Sequence, residues 1–215
     1  MVGKFLIRRI MKNLGFDFSV AEFLNGTRHA IHELAGMLAT RERHEEISQV
    51  TSAELYQAIH SSLALLPSSC HIHLDVESVR NMEMVGFNTV AGQAASDDQH
   101  VVSGLGQKVV TSQSRMQHIS ENLSSFTTHQ AREIALQASM ARLEFSLSVA
   151  FQTREKFAVL DTASGAVVQG SNQFVSCSHL WVLGSLVDRD AEYPLRWTVM
   201  DINNFLHSVP GARVL

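Results

Sequence analysis

Eleven histidines are the side chains of this 215-residue chain best able to do chemistry, so their spacing is weighed first. His32-Glu33-Leu34-Ala35-Gly36 opens like a zinc-protease helix, where histidines at i and i+4 grip the metal from one face. Gly36 stands where the second ligand must be, and the motif fails. His29 and His32 share a helical face, but no third ligand is identifiable, and a zinc site needs three or four. A solvated helix surface is the favoured reading. His71 and His73 fall on one side of any strand there and again lack a partner. Cys70 and Cys177 are the only cysteines and have no CxxC spacing. One bridge is possible, a zinc ribbon is not, and a reducing compartment is the simpler reading.

Other motifs are no stronger. Gly104-Leu105-Gly106 lacks the third glycine of a dinucleotide loop, and neither a Walker loop nor a G-x-S-x-G elbow occurs. Asp188, Asp190 and Glu192 lie in one acidic turn, read as solvated. Arg154-Glu155-Lys156 alternates charge along a strand, which favours cross-strand pairs over a site. Asn25-Gly26-Thr27 and Asn122-Leu123-Ser124 are formal glycosylation sequons, read as accidental. Nothing assembles a nucleophile, a base and an orienting group. The expectation is a non-enzymatic protein without catalytic residues, metal or cofactor.

Composition fits a binding domain. The chain is 45% hydrophobic, enough for a core, and only 18% charged, against about a quarter in an average protein. A net charge of −4 gives no footprint for DNA. Residues 1–16 carry Lys4, Arg8, Arg9 and Lys12 without an acid, interleaved with Phe5, Leu6, Ile7, Ile10, Met11 and Leu14. That pattern suits an organelle-targeting stretch, a membrane-surface helix or a solvated N-terminal helix. The four bases are the membrane-contact candidates.

The elements that would position a site follow in order. Ser19-Val20-Ala21-Glu22 is a capping box, and Val20, Phe23, Leu24, Ile31, Leu34 and Leu38 recur at helical spacing over roughly residues 20–40. Thr51-Ser52-Ala53-Glu54 opens a second helix that Pro67 stops, and 42–50 between them is helical. A strand is expected over about 79–91, and a flexible loop from Gly92 through Gly106. Inserted helices are expected near 116–126 and 130–140. Leu143 to Phe151 alternates as a half-buried strand, and Phe157 to Leu160 continues it. Asp161-Thr162-Ala163-Ser164-Gly165 turns into a return strand at 166–169, followed by a central strand at 180–186 and a last strand at 196–202. Helices first and then mainly antiparallel strands make this α+β: amphipathic helices on a curved sheet, a cystatin/NTF-like cone. Residues 1–16 form a basic segment and 17–215 a single domain with an insertion at about 92–135. The mouth of such a sheet is a natural apolar pocket, with Phe145, Phe151, Trp181, Trp197 and Met200 as candidates to line it.

Phe5 to Ile10, then Phe16-Asp17-Phe18-Ser19-Val20-Ala21-Glu22-Phe23, resembles the start of the conserved domain in the mitochondrial m-AAA protease-interacting protein family. The helix from Thr27 to Leu38 and the closing Arg196-Trp197-Thr198-Val199-Met200-Asp201-Ile202 are similar to that family too. Phe151 to Phe157, with the hairpin to Gly170, resembles the wider superfamily of inner-membrane translocase subunit 44 and its mitoribosomal large-subunit relative. Gly92 to Gln130 is longer and more polar than in the family, and no complete presequence precedes the domain. The resemblance implies a matrix protein peripheral to the inner membrane. Its role would be chaperone-like: binding the m-AAA protease and shielding an imported inner-membrane client, in that family a regulatory subunit of the calcium uniporter. The alternatives are a membrane- or mitoribosome-associated scaffold of the same fold and a small-molecule enzyme or carrier.

Overall fold

The computed structural model describes residues 8, 11–12, 16–91, 99–104, 107–112, 143–187 and 195–208. Its chain groups into two compact units. One comprises residues 1–86, 148–183 and 198–215, the other residues 87–147 and 184–197.

The first unit opens with helix α1, Val20–Ala39. Ser19 caps it as expected, its hydroxyl accepting from the Glu22 amide at 3.3 Å. Phe18 just before the cap packs on Phe23 one turn in, with ring centroids 5.6 Å apart. This hydrophobic staple fixes the angle at which the chain enters the helix. Val20, Phe23, Ile31, Leu34 and Met37 are buried along one stripe. Thr27 joins them at 2% exposure, because its hydroxyl donates back to the Phe23 carbonyl at 2.9 Å and leaves no orphan polar atom. The segment after α1 is a 3₁₀ helix, Arg41–Gln49, burying only Ile47. Arg43 ties it to α1 through Glu33 (3.2 Å) and to itself through Glu46 (2.9 Å).

Helix α2 is Ala53–Ala64, and its cap is Ser52, whose hydroxyl accepts from the Leu55 amide at 3.2 Å. The expected capping box at Thr51 is therefore displaced by one residue. Thr51 is spent elsewhere: its hydroxyl donates to the Ile47 carbonyl at 2.7 Å. Its backbone bridges in parallel to Val199, with the Ser52 amide donating to the Val199 carbonyl and the Val199 amide to the Val50 carbonyl. Tertiary pairing outcompeted the local cap.

The helices pack against an open antiparallel sheet of four strands. Strand β1 is Cys70–Ala91, β4 is Leu143–Asp161, β5 is Val167–Leu186 and β6 is Thr198–Ile202, and they lie in the order β1-β4-β5-β6. The α+β expectation, helices before antiparallel strands, holds at this level. β1 begins nine residues earlier than the expected start at 79. Its alternation is broken at Asn81, which takes φ 51° and donates from its amide to Gln152 on β4 at 2.8 Å. The expected strands at 166–169 and 180–186 are one strand, because 170–179 stays extended despite Gly170, Asn172, Gln173 and three serines. The turn between β4 and β5 follows its sequence. The Asp161 carboxylate accepts from the Ser164 amide (2.8 Å) and hydroxyl (2.7 Å), and Gly165 supplies φ 69°. After β6, Asn203 and Asn204 take φ 55° and 57°. Asp201 then accepts from the Leu206 amide at 3.1 Å, at the start of the short helix α3, Phe205–Ser208.

In the second unit β2, Gln99–Gly104, and β3, Gln107–Ser112, pair antiparallel from Gln99↔Ser112 to Gly104↔Gln107. β3 then runs parallel to β1 from Thr89↔Gln107 to Ala91↔Val109. The expected flexible loop from Gly92 through Gly106 is thus in part a strand. Val101-Val102 and Val109-Val110 carry the β propensity that the surrounding Gly, Ser and Gln masked. Phe87 stacks on Phe145 at 6.0 Å, and Val187 bridges antiparallel to Leu195. The expected helices near 116–126 and 130–140, and the acidic turn at 188–194, lie outside the described residues.

Candidate functional site

Alternation along β4 and β5 sends odd-numbered residues to the covered face of the first unit. Val149, Phe151 and Thr153 are buried on β4, and Trp181 and Leu183 on β5. Phe151 and Trp181 meet edge-to-face at 5.6 Å. Continuing outward along the same face, apolar side chains give way to Glu155 on β4 and to His179 and Cys177 on β5. The ring of His179 stacks on Phe151 at 5.2 Å, so one wall of the polar cluster is the edge of the core.

The hydrogen bonds of this cluster determine its protonation. Asn203 accepts the Leu180 amide on Oδ1 at 2.9 Å, which turns its Nδ2 toward His179 Nδ1 at 3.0 Å. Nδ1 is therefore an acceptor and the ring proton sits on Nε2. That N–H lies 3.1 Å from Glu155 Oε2 and 2.9 Å from Thr153 Oγ1. The Thr153 hydroxyl in turn donates to Glu155 Oε2 at 2.6 Å. Hydrogen bonding from His179 holds the Glu155 carboxyl below its usual range, outweighing the desolvation that pushes it up. Desolvation, with the Glu155 charge beside it, pushes the Cys177 thiol up. A protonated thiol is a poor nucleophile, and both imidazole nitrogens are engaged. The Glu155 carboxylate also accepts a hydrogen bond from the Cys177 thiol.

Backbone geometry places the cluster. Gly170 takes φ 81°, and a Cβ there would sit 2.4 Å from the Phe157 carbonyl oxygen. From that contact to the Thr153–His179 contact, β4 advances from 157 to 153 while β5 advances from 170 to 179. β5 thus advances further than β4 over this stretch, and Cys177 and His179 come to lie beside Glu155.

Both cysteines are free thiols. His29 and His32 are exposed on α1, as the solvated reading expects. Arg154 makes the expected cross-strand pair, its Nε 2.6 Å from Glu77 on β1, whereas Glu155 beside it joins the cluster. Of the pocket candidates, Phe151 and Trp181 come together in the first unit at 3% and 6% exposure, and Met200 is half-buried on β6. In the second unit Phe145 is fully buried and Trp197 half-buried. Of the basic residues, Arg8 and Lys12 are exposed and line a shallow groove with Phe16, Asp17, Phe18 and Ser19; Lys4 and Arg9 lie outside the described residues.

Sequence reasoning missed Glu155, Cys177 and His179. A usable signal was present in the odd-numbered run Cys177, His179, Trp181, Leu183, once 170–179 is read as strand. No protein-family model matches the chain, and no curated protein matches it.

Proposed function

We propose that the protein is a non-enzymatic polypeptide-binding domain that holds an extended apolar segment of another protein. One observation carries this reading. Of the seven exposed large hydrophobic side chains among the described residues, four cluster on the outer half of the β4–β5 hairpin: Phe157 (39%), Val167 (46%), Val168 (62%) and Val175 (46%). Exposed apolar side chains gathered on one hairpin favour a contact surface. Arg154 and Lys156 flank it, stacking over the Phe174 ring at 5.8 and 5.2 Å, so cationic side chains border the apolar strip.

The resemblance to the m-AAA protease-interacting family supplies the rest of the proposal: a curved cystatin/NTF-like sheet, a matrix location beside the inner membrane, and a chaperone-like role toward an imported inner-membrane client. Arg8 and Lys12 would face anionic lipid. The test is binding of the full chain to a fluorescent apolar peptide of about 20 residues, the length that spans a bilayer. The double variant Val168→Asp, Val175→Asp is expected to weaken binding at least tenfold with an unchanged melting temperature. Equal binding by the variant overturns the surface. Crosslinking in isolated mitochondria is expected to recover m-AAA protease subunits; recovery of ribosomal proteins alone would make the chain a mitoribosomal scaffold.

A further inference from the structure

We infer that Glu155, Cys177 and His179 form a binding site for a divalent transition metal of the zinc class. The site is independent of the hairpin surface proposed above. Its three donors differ in kind, and their ligand atoms all lie within 4.8 Å of one another. Zinc bonds of about 2.0–2.3 Å need these atoms to close by no more than roughly an ångström, a movement within reach of the Glu155 and Cys177 side chains. Glu155 and His179 are each 15% exposed, so the site is largely shielded from water yet open to entry. A sulfur, a nitrogen and an oxygen donor together select against magnesium and calcium, which take oxygen alone. Three protein ligands leave the fourth tetrahedral position for water or a ligand atom, beside the Thr153 hydroxyl.

Loading the site rearranges protons. Cys177 loses its S–H proton to solvent as the sulfur–metal bond forms. His179 must bind through Nε2, so the ring proton moves to Nδ1. Asn203 now presents a donor to that nitrogen and would have to turn its amide, breaking the Oδ1 contact to the Leu180 amide. Asn203 therefore sets the affinity. An aspartate at this position keeps one oxygen for the Leu180 amide and offers the other to Nδ1–H, the outer contact that metal-bound histidines ordinarily have.

The test is titration of the metal-free full chain with Co²⁺, followed by displacement with Zn²⁺. The expected result is one Co²⁺ per chain with a thiolate-to-cobalt charge-transfer band. Cys177→Ser should abolish the band, Glu155→Gln and His179→Ala should each weaken binding at least tenfold, and Cys70→Ser should leave it unchanged. Asn203→Asp should tighten binding by about 10- to 100-fold, the range of outer-contact effects. Asn204→Asp, which adds the same charge next door, should not. Melting curves without metal confirm that each variant folds. A band that survives in Cys177→Ser overturns the assignment. So does the lack of a band in both the natural chain and Asn203→Asp at millimolar Co²⁺; the cluster is then a hydrogen-bonded strut only.

Discussion

The inner and outer halves of the β4–β5 hairpin share two strands but not their surroundings. From Val149 to Glu155 on β4, and from Cys177 to Leu183 on β5, one face is covered. Its side chains are first apolar and then polar, in a closed set of hydrogen bonds. From Phe157 through the turn to Val175 the strands continue, but residues 167–173 are all exposed and apolar side chains meet water. Gly170 marks the border. The difference teaches that the hairpin is longer than the core requires. Its inner half is buried on both strands, while in its outer half β4 still buries Ala158 and Val159 and β5 is exposed from 167 to 173.

The sharpest way to break this comparison is one truncation in each half. Phe151→Ala removes a ring that is 3% exposed and touches both His179 and Trp181. It is expected to cost about 3–5 kcal/mol in chemical denaturation. Val168→Ala, at 62% exposure, is expected to change stability by less than about 0.5 kcal/mol. Similar losses at the two positions would mean that the outer half is covered in solution.

A smaller effect is expected at the border. Gly170→Ala asks an L residue to hold φ 81° while its methyl meets the Phe157 carbonyl, a backbone atom that cannot swing away. Strain of this kind costs on the order of 1–3 kcal/mol. Amide exchange should rise at residues 157–170 and 171–179 together if Gly170 organises both halves, and only at residues 157–170 if it does not.

How much of this was legible beforehand varies along the hairpin for physical reasons. Phe145 to Phe151 alternates cleanly, so that strand and its buried face were readable. Asp161 to Gly165 carries its own turn chemistry and was equally plain. Residues 170–179 were not, because strand formation there is imposed by tertiary pairing rather than by local propensity. Without that stretch as strand, Cys177 and His179 have no face to belong to, and Glu155 is only the middle of a charge alternation. The Ser52 cap was hidden for a related reason: Thr51 satisfies every local rule for the position but is claimed by Ile47 and Val199.

The smallest effect separates the halves by pH. Glu155 is held below its ordinary carboxyl value of 4.5, first by the hydrogen bond from His179. A group whose folded value is depressed stabilises the fold above its unfolded value, and that contribution is lost as pH falls through the folded value. Stability should therefore decline with acidification below about 4.5, and Glu155→Gln should flatten that decline. Cys177 carries the opposite sign. Its thiol is raised above 9.0 by burial, so the unfolded chain ionises first and stability falls as pH rises past that value; Cys177→Ser should remove this alkaline limb. The alkaline limb belongs to the inner half, while the acid limb has a second contributor in the outer half, Asp161, held low by Ser164 in an exposed turn. Denaturation midpoints measured from pH 3 to 10 in the natural chain, Glu155→Gln and Cys177→Ser check the assignment. An acid limb that persists unchanged in Glu155→Gln would transfer it to Asp161, and with it the acid sensitivity of the hairpin from its covered half to its exposed one.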